Sequence, residues 1–164
     1  LNQFLQMTDW GDLDFLVVDM PPGTSDAPLT VMQTLEMDGF LAVTTPQSLA
    51  VLDAKRSINM VRKLNVEVLG VVENYTGDVF GVGAGQKLAD DMALTYFGNL
   101  ALRSDYRDGS KPTVLVSAKV KKEYDSIWKG LRARLTELEV MPEQVAAALA
   151  ADEVDGNTTT DEAS

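Results

Sequence analysis

The chain has 164 residues, of which 45% are apolar and 24% charged, and this is the composition of a folded globular domain. Its net charge of −11 argues against direct binding to nucleic acid, because such proteins carry positive charge to neutralise phosphates. The absence of Cys and His excludes disulfides, thiolate-ligated zinc or iron–sulfur sites and histidine acid–base catalysis. No apolar run reaches the roughly 20 residues that span a bilayer and no signal peptide is visible, so we expect a cytoplasmic protein that does not bind a membrane.

Short apolar runs of strand length alternate along the chain with longer amphipathic segments. The runs predicted to be buried strands are Phe15–Val18, Phe40–Val43, Val68–Val72, Tyr96–Leu100 and, as a candidate fifth strand, Thr113–Val116. The segments predicted to be helices are Ala27–Leu35, Leu49–Leu64, Gln86–Ala93, Lys119–Leu138 and Met141–Ala151. Alternation of strands and helices indicates an α/β fold, with a mostly parallel sheet between two layers of helices.

The segment Asp152–Ser164 differs in composition from the rest of the chain. It holds acidic residues and three consecutive threonines but no basic residue. Such a segment cannot bury enough apolar surface to fold. We therefore predict one domain over residues 1–151 and a disordered acidic tail over residues 152–164.

The first predicted strand ends in a pattern with chemical meaning. Four apolar residues lead into Asp19, and Met-Pro-Pro-Gly-Thr-Ser follows before Asp26. A carboxylate that leaves a buried strand in this way can hold Mg²⁺ through water beside nucleotide phosphates, although many strands also end in an Asp that only forms a turn or cap. Gly23 allows the backbone to approach a phosphate, and Asp26 can cap the following helix.

Polar residues also follow the next two predicted strands. The second strand leads into Thr44-Thr45-Pro46, and the third leads into Glu73-Asn74. The amide of Asn74 offers a donor and an acceptor, which suits the Watson–Crick edge of adenine, but an Asn at this place is also typical of a turn. Because ligands of parallel sheets bind at the carboxyl ends of the strands, we expect a binding site at this edge.

In this order the motifs resemble the Mrp/ApbC family, which are P-loop ATPases of the ParA/MinD class that carry iron–sulfur clusters. The resemblance covers roughly residues 10 to 117 and rests on the segments Asp14–Asp26, Val43–Gln47, Leu52–Arg56, Ile58–Met60, Val68–Asn74 and Phe80–Gly85. It implies that Asp19 is the Walker B carboxylate that holds Mg²⁺ through water. It also implies that Gly23 reports the γ-phosphate and that Asn74 contacts adenine.

The resemblance further implies a P-loop NTPase-like fold and an ATP- and Mg²⁺-dependent ATPase that assists iron–sulfur cluster assembly or transfer. Such a protein is a homodimer when complete, and iron–sulfur client or scaffold proteins are its expected partners. Asp53, Arg56 and Asn59 fall in a region that lies near the dimer face in this family, and an ordinary solvated helix face is the alternative for them.

Two departures from the family pattern change what we expect of this chain. No G-x-x-x-x-G-K-[ST] loop is present, and the glycine-rich stretch Gly81–Lys87, which lacks that spacing, is predicted to be a helix-entry loop. The family's paired cysteines are also absent, so this chain does not ligate an iron–sulfur cluster through thiolates. We therefore expect a C-terminal portion, incomplete at its N-terminus, whose partner is a separate or preceding P-loop segment and which has no ATPase activity alone.

Two other functions remain open at this point. A MinD/ParA-type ATPase that positions or partitions a complex would need no cysteines, although the acidic end argues against membrane attachment. A non-catalytic interaction module that keeps the fold would need no phosphate-binding loop.

Overall fold

The structure is a computed structural model, and it describes residues 7–20, 26–35 and 37–138. The predicted helix Met141–Ala151 and the predicted tail Asp152–Ser164 lie outside these residues. The helices and strands in chain order are α1 (Asp26–Thr34), β1 (Phe40–Thr44), α2 (Ser48–Lys63), β2 (Val68–Thr76), α3 (Ala84–Met92), β3 (Tyr96–Ala101), a 3-10 turn (Ser104–Arg107), α4 (Thr113–Val116) and α5 (Ala118–Glu137).

The described strands form one sheet in the order β1-β2-β3, and both neighbouring pairs are parallel. The predicted α/β fold with a parallel sheet is confirmed. The strands predicted over Phe40–Val43, Val68–Val72 and Tyr96–Leu100 are all present. Parallel neighbours need a crossover, and α2 and α3 supply the two crossovers here.

Helices cover the sheet on both faces, because β2 presents apolar side chains to each. On one face Val68 and Val71 pack in a cluster with side chains of α1, α2 and α3, including the fully buried Ile58 of α2. On the other face Leu69 and Val72 pack with side chains of β3 and α5. Burial of each large apolar side chain contributes about 1.5–3 kcal/mol, so these two clusters hold the three layers together.

The two longest helices follow the periodicity of their sequences. In α2 the residues Ala54, Ile58 and Val61 are buried and lie one turn apart. In α5 the Ser117 side chain accepts a hydrogen bond from the backbone N–H of Val120 and so caps the first turn. The four longer helices in the described part begin and end within two residues of their predicted bounds.

The prediction of a fifth strand over Thr113–Val116 is wrong, since these residues form the short helix α4. Its turn is closed by backbone hydrogen bonds from Leu115 to the Pro112 carbonyl and from Ser117 to the Thr113 carbonyl. The β-branched residues favour a strand, but strand propensity depends on a neighbour to pair with and a surface to cover. Leu115 and Val116 are exposed and lack both within the described sheet.

The prediction of a buried strand over Phe15–Val18 is also wrong for this structure. The segment pairs with none of the three described strands, and Val17 is 90% exposed. Two contacts hold this part of the chain instead. The Phe15 ring meets the Trp128 ring of α5 edge to face at 5.8 Å, and Met20, two residues after the segment, packs against the cluster around Ile58. The apolar residues are those of a strand, but a strand forms only where another strand offers hydrogen-bonding partners.

Candidate functional site

The carboxyl ends of β1, β2 and β3 meet at one edge of the sheet, where the sequence predicts a binding site. Thr44 at the end of β1 pairs with Glu73, and Asn74 pairs with Leu100 of β3. Thr44 and Glu73 are buried, whereas Asn74 is half-buried. This edge therefore places Asn74 beside two strand ends, where its amide can meet a ligand.

Asn74 lies inside β2 and not in a turn, because β2 continues to Thr76 and is longer than predicted. Its Oδ1 accepts a hydrogen bond from the Tyr75 backbone N–H at 2.9 Å. That bond uses one lone pair, so the amide NH₂ group and the second lone pair of Oδ1 can face a ligand. This is the donor-and-acceptor pair that contact with an adenine edge requires.

The strand is irregular directly after Asn74. The register between β2 and β3 shifts between Asn74 and Thr76, and Tyr75 has a φ of 59°. A non-glycine residue in the left-handed region is strained, and bulges of this kind redirect side chains at functional sites. Tyr75, which directly follows Asn74 in the chain, lies at this irregularity and its side chain is exposed.

The structure shows less about the other predicted site residues. Asp19 is exposed and lies in a segment without strand pairing, and Gly23 lies outside the described residues. The side chain of Asp26, the predicted helix cap, is also outside them, although α1 begins at Asp26. The predicted roles of Asp19 and Gly23 therefore stay predictions.

Among the described residues, Mg²⁺ binding would rest on a single carboxylate together with water and phosphate oxygens. Residues 7–20, 26–35 and 37–138 contain no group of three or more acidic residues that could hold a metal ion. An exposed single carboxylate such as Asp19 suits the mode in which water and nucleotide phosphates supply the remaining oxygen ligands.

The predicted dimer-face residues all lie on an exposed side of α2. Arg56 forms an ion pair with Asp53 at 3.2 Å, with both side chains about equally accessible to solvent, and Asn59 is exposed. Such a pair between solvated side chains contributes about 0–1 kcal/mol.

Glu73 is a buried acidic residue whose individual importance the sequence analysis missed. Its carboxylate is fully buried and accepts hydrogen bonds from the backbone N–H groups of Gly83 and Gly85, both at 2.9 Å. The Tyr96 hydroxyl donates a longer bond of 3.4 Å to the same carboxylate. Burial raises the pKa of Tyr96, a hydrogen bond with Asn99 opposes that rise, and the Glu73 charge adds to it. The detectable signal was a Glu inside an apolar strand, followed by closely spaced glycines.

The glycine-rich stretch after β2 enters α3, as predicted. Gly83 is the N-cap residue of α3 with a φ of 100°, and the helix begins at Ala84. Two backbone hydrogen bonds join Gly77 and Gly81 in both directions, at 3.0 and 2.7 Å. The stretch is thus a tight hairpin that runs into a helix whose N-terminus faces the Glu73 carboxylate.

An open cleft of about 540 Å³ lies at the opposite edge of the sheet, where β2 and β3 begin. Its lining includes Arg62 and Arg134, and both of these side chains already bind partners within the protein. Arg62 donates to the Met92 carbonyl at 2.7 Å, and Arg134 pairs with Glu67 at 2.8 Å. Because ligands of parallel sheets bind at the carboxyl ends, we place the candidate site at the Asn74 edge and not in this cleft. Within the described part of the chain, no helix is both long and apolar enough to cross a membrane.

Comparison with known proteins assigns the family. A family model described as ParA, NUBPL iron-transfer P-loop NTPase, matches residues 1–135. Among curated relatives, an iron-sulfur cluster carrier protein of Methanocaldococcus jannaschii is 38% identical over 143 residues, covering 79% of this chain and 49% of the relative. A carrier protein of the same name from Escherichia coli is 40% identical, covering 82% of this chain and 40% of the relative. A cytosolic Fe-S cluster assembly factor of Kluyveromyces lactis is 40% identical, with shares of 62% and 41%.

A solved structure shows the same fold. A nucleotide-binding protein of Archaeoglobus fulgidus in complex with ADP superposes with a TM-score of 0.56 at 36% identity, covering 63% of this chain and 46% of that one. The chain spans less than half the length of each of these relatives. The parallel sheet, the ordered motifs and the match over residues 1–135 show that the chain belongs to the ParA family described as NUBPL iron-transfer P-loop NTPases.

Proposed function

We propose that this chain is part of an Mrp-like protein that binds and hydrolyses ATP and assists iron–sulfur cluster assembly or transfer. The observation that carries the proposal is Asn74 at the carboxyl edge of a parallel sheet, with amide groups left for an adenine, in a chain of a P-loop NTPase family. The names of the bacterial, archaeal and yeast relatives support the iron–sulfur role.

In this proposal three residues of the chain contribute to the nucleotide and Mg²⁺ site. Asn74 binds adenine, Gly23 senses the γ-phosphate, and Asp19 holds Mg²⁺ through water. Bound Mg²⁺ would neutralise charge on the phosphates, and hydrolysis would proceed by positioning of a water nucleophile and not by a general base from these residues.

The remaining phosphate contacts come from a P-loop segment, because this sequence holds no G-x-x-x-x-G-K-[ST] loop. The sheet has an edge at which such a strand could pair. In the described residues β1 pairs with β2 alone, and Val43 of β1 is 57% exposed. A further parallel strand there would cover that edge and bring its loop to the carboxyl ends.

The iron–sulfur cluster in this proposal is cargo that this chain does not ligate through thiolates, since it has no Cys. A complete protein would act as a homodimer in the cytoplasm, with iron–sulfur client or scaffold proteins as partners. Direct contact with nucleic acid is disfavoured by the net charge of −11.

The nucleotide site can be tested with the chain and with a chimaera that places a strand and Gly-Lys loop ahead of residue 1. The chain alone should bind Mg-ATP weakly or not at all, because loop amides and the loop Lys supply most phosphate contacts. The chimaera should bind it, and Asn74→Ala should weaken that binding about tenfold, the effect of losing roughly 1.4 kcal/mol of hydrogen bonding.

Gln86→Ala, on the exposed side of α3, is the matched control and should leave the affinity unchanged. Micromolar affinity of the chain alone would contradict the need for an added loop. The proposed site would be contradicted by a folded chimaera that does not bind nucleotide. It would also be contradicted if Asn74→Ala left the affinity of the chimaera unchanged.

A non-catalytic interaction module is a second candidate, favoured by the absent phosphate-binding loop. A MinD/ParA-type positioning ATPase is a third, favoured by the absent cysteines. Failure of the chimaera to bind nucleotide supports the module. Nucleotide binding without any stimulation of cluster transfer to an apo-ferredoxin supports the positioning ATPase.

A further inference from the structure

The hairpin Gly77–Gly83 carries exposed apolar side chains at the same edge of the sheet as Asn74. Val79 is 74% exposed and Val82 is 68% exposed, and Phe80 lies between them. Gly77, Gly81 and Gly83 all have positive φ values, which glycine adopts without steric cost. A hairpin this rich in glycine has little intrinsic stiffness, so its position depends on what holds its base.

Glu73 holds that base. Its carboxylate accepts one hydrogen bond from Gly83 at the end of the hairpin and one from Gly85 in the first turn of α3. Among the described residues, Glu73 is the side chain that hydrogen-bonds the hairpin to the sheet. The helix N-terminus favours a negative charge at this place, which offsets part of the cost of burying the carboxylate.

Helix α3 packs closely against β2 at Glu73. A Cβ atom added to Gly85 would stand 2.6 Å from the Cβ of Glu73, so α3 approaches β2 as closely as its backbone allows. A buried carboxylate is seldom the most stabilising choice, because apolar residues of similar volume often stabilise a core as well or better. Here both carboxylate oxygens meet backbone N–H groups, which fixes the direction in which the chain leaves the sheet.

We propose that Glu73 is a positioning residue that holds the hairpin Gly77–Gly83 in one place relative to Asn74 and so presents its apolar tip at the carboxyl-end edge of the sheet. The neutral isostere cannot do this. In Glu73→Gln one oxygen still accepts an N–H bond, but the NH₂ group of the amide faces the second backbone N–H. This inference does not require Asn74 to bind nucleotide, and its test uses no nucleotide.

The absence of Cys in the chain allows a site-specific test. Val79→Cys carries the only thiol and is labelled with a nitroxide, whose electron paramagnetic resonance spectrum reports local mobility. With Glu73 in place the label should be motionally restricted, and with Glu73→Gln it should become mobile. The same label on Lys129→Cys, at an exposed position of α5, should be unaffected by Glu73→Gln.

Hydrogen exchange of the unlabelled chain supplies the second measurement. In Glu73→Gln at least one of the Gly83 and Gly85 amides, the one that faces the new NH₂ group, should exchange about tenfold faster, as expected when one hydrogen bond is lost. The amides of β1 and α5 should keep their rates. Glu67→Gln is the matched control, since Glu67 is exposed and pairs with Arg134 at the opposite edge of the sheet.

Two further variants keep the test decisive if Glu73→Gln does not fold. Gly85→Ala keeps the carboxylate but forces α3 away from it, so it should also free the label at residue 79. Tyr96→Phe removes the long 3.4 Å contact with Glu73 and the hydrogen bond with Asn99 but keeps both backbone bonds to Glu73, so it should leave the label restricted. The proposal is overturned if the label stays restricted in Glu73→Gln or Gly85→Ala, if Tyr96→Phe frees it equally, or if all segments exchange faster together.

Discussion

The segments Phe15–Val18 and Val68–Val72 are both apolar, but only Val68–Val72 is part of a strand. Val68–Val72 begins the central strand β2, has a parallel neighbour on each side, and is buried on both faces. Phe15–Val18 has no paired strand among the described residues, and most of its side chains are exposed. An apolar run thus has the capacity to be a strand, and neighbouring backbone groups decide whether it becomes one.

The largest expected effect is a difference in the free energy of unfolding between a substitution packed against β2 and one in the segment Phe15–Val18. Ile58→Ala removes a fully buried side chain beneath β2 and should lower the free energy of unfolding by about 2–5 kcal/mol. Val17→Ala, at a 90% exposed position, should change it by less than about 0.5 kcal/mol. Urea denaturation of both variants measures the difference. Equal losses would show that the segment around Val17 is packed like the core.

The next effect tests the close approach of α3 to β2. Gly85→Ala should destabilise the chain by about 1–3 kcal/mol, because the new methyl group would overlap Glu73. Gly109→Ala is the control, since a Cβ at Gly109 meets open space. Thermal unfolding of both variants measures the cost. If Gly109→Ala proved as costly as Gly85→Ala, overlap with Glu73 would not be the cause.

A smaller effect should come from the contact that holds the first segment to the body of the fold. Phe15→Ala removes the edge-to-face pair with Trp128 and should cost about 0.5–1.5 kcal/mol. Phe15→Leu keeps apolar volume but loses the aromatic pair, and it should recover part of this cost. Denaturant unfolding followed by Trp fluorescence measures both. No loss in Phe15→Ala would mean that the segment is not held through this ring.

The smallest expected effect is a titration at the start of α5. The Ser117 hydroxyl donates a hydrogen bond to Asp105, and this bond holds the pKa of Asp105 below its ordinary value. Since the folded pKa is the lower one, the contribution of this contact to stability is present above the unfolded pKa and is lost as the pH falls through the folded pKa. In Ser117→Ala the pKa of Asp105 should rise toward its ordinary value, as measured by NMR titration of its carboxyl carbon. The pKa of Asp108, which backbone and side-chain hydrogen bonds from Ser110 lower, should stay unchanged and is the internal control.

Sequence patterns predicted the four longer described helices and the three described strands because both follow from local periodicity. The apolar spacing of Ala54, Ile58 and Val61 is enough to place α2 against a sheet. The same reasoning failed for Thr113–Val116 and Phe15–Val18, because strand pairing is a contact between distant segments. For the candidate site, the place of Asn74 at the carboxyl edge was predicted from its position after an apolar run. Its contact with adenine and the roles of Asp19 and Gly23 stay predictions.

Glu73 is the clearest case of a residue whose contacts could not be predicted from local sequence patterns. By itself the sequence determined the α/β class, the order of the elements, and the absence of thiolate and imidazole chemistry, because composition and periodicity are properties of the chain alone. Only the tertiary structure decided that the Glu73 carboxylate meets the amides of Gly83 and Gly85, and that Asn74 precedes a bulge. The physical reason is that a buried charge is tolerated only where distant backbone groups converge to satisfy it.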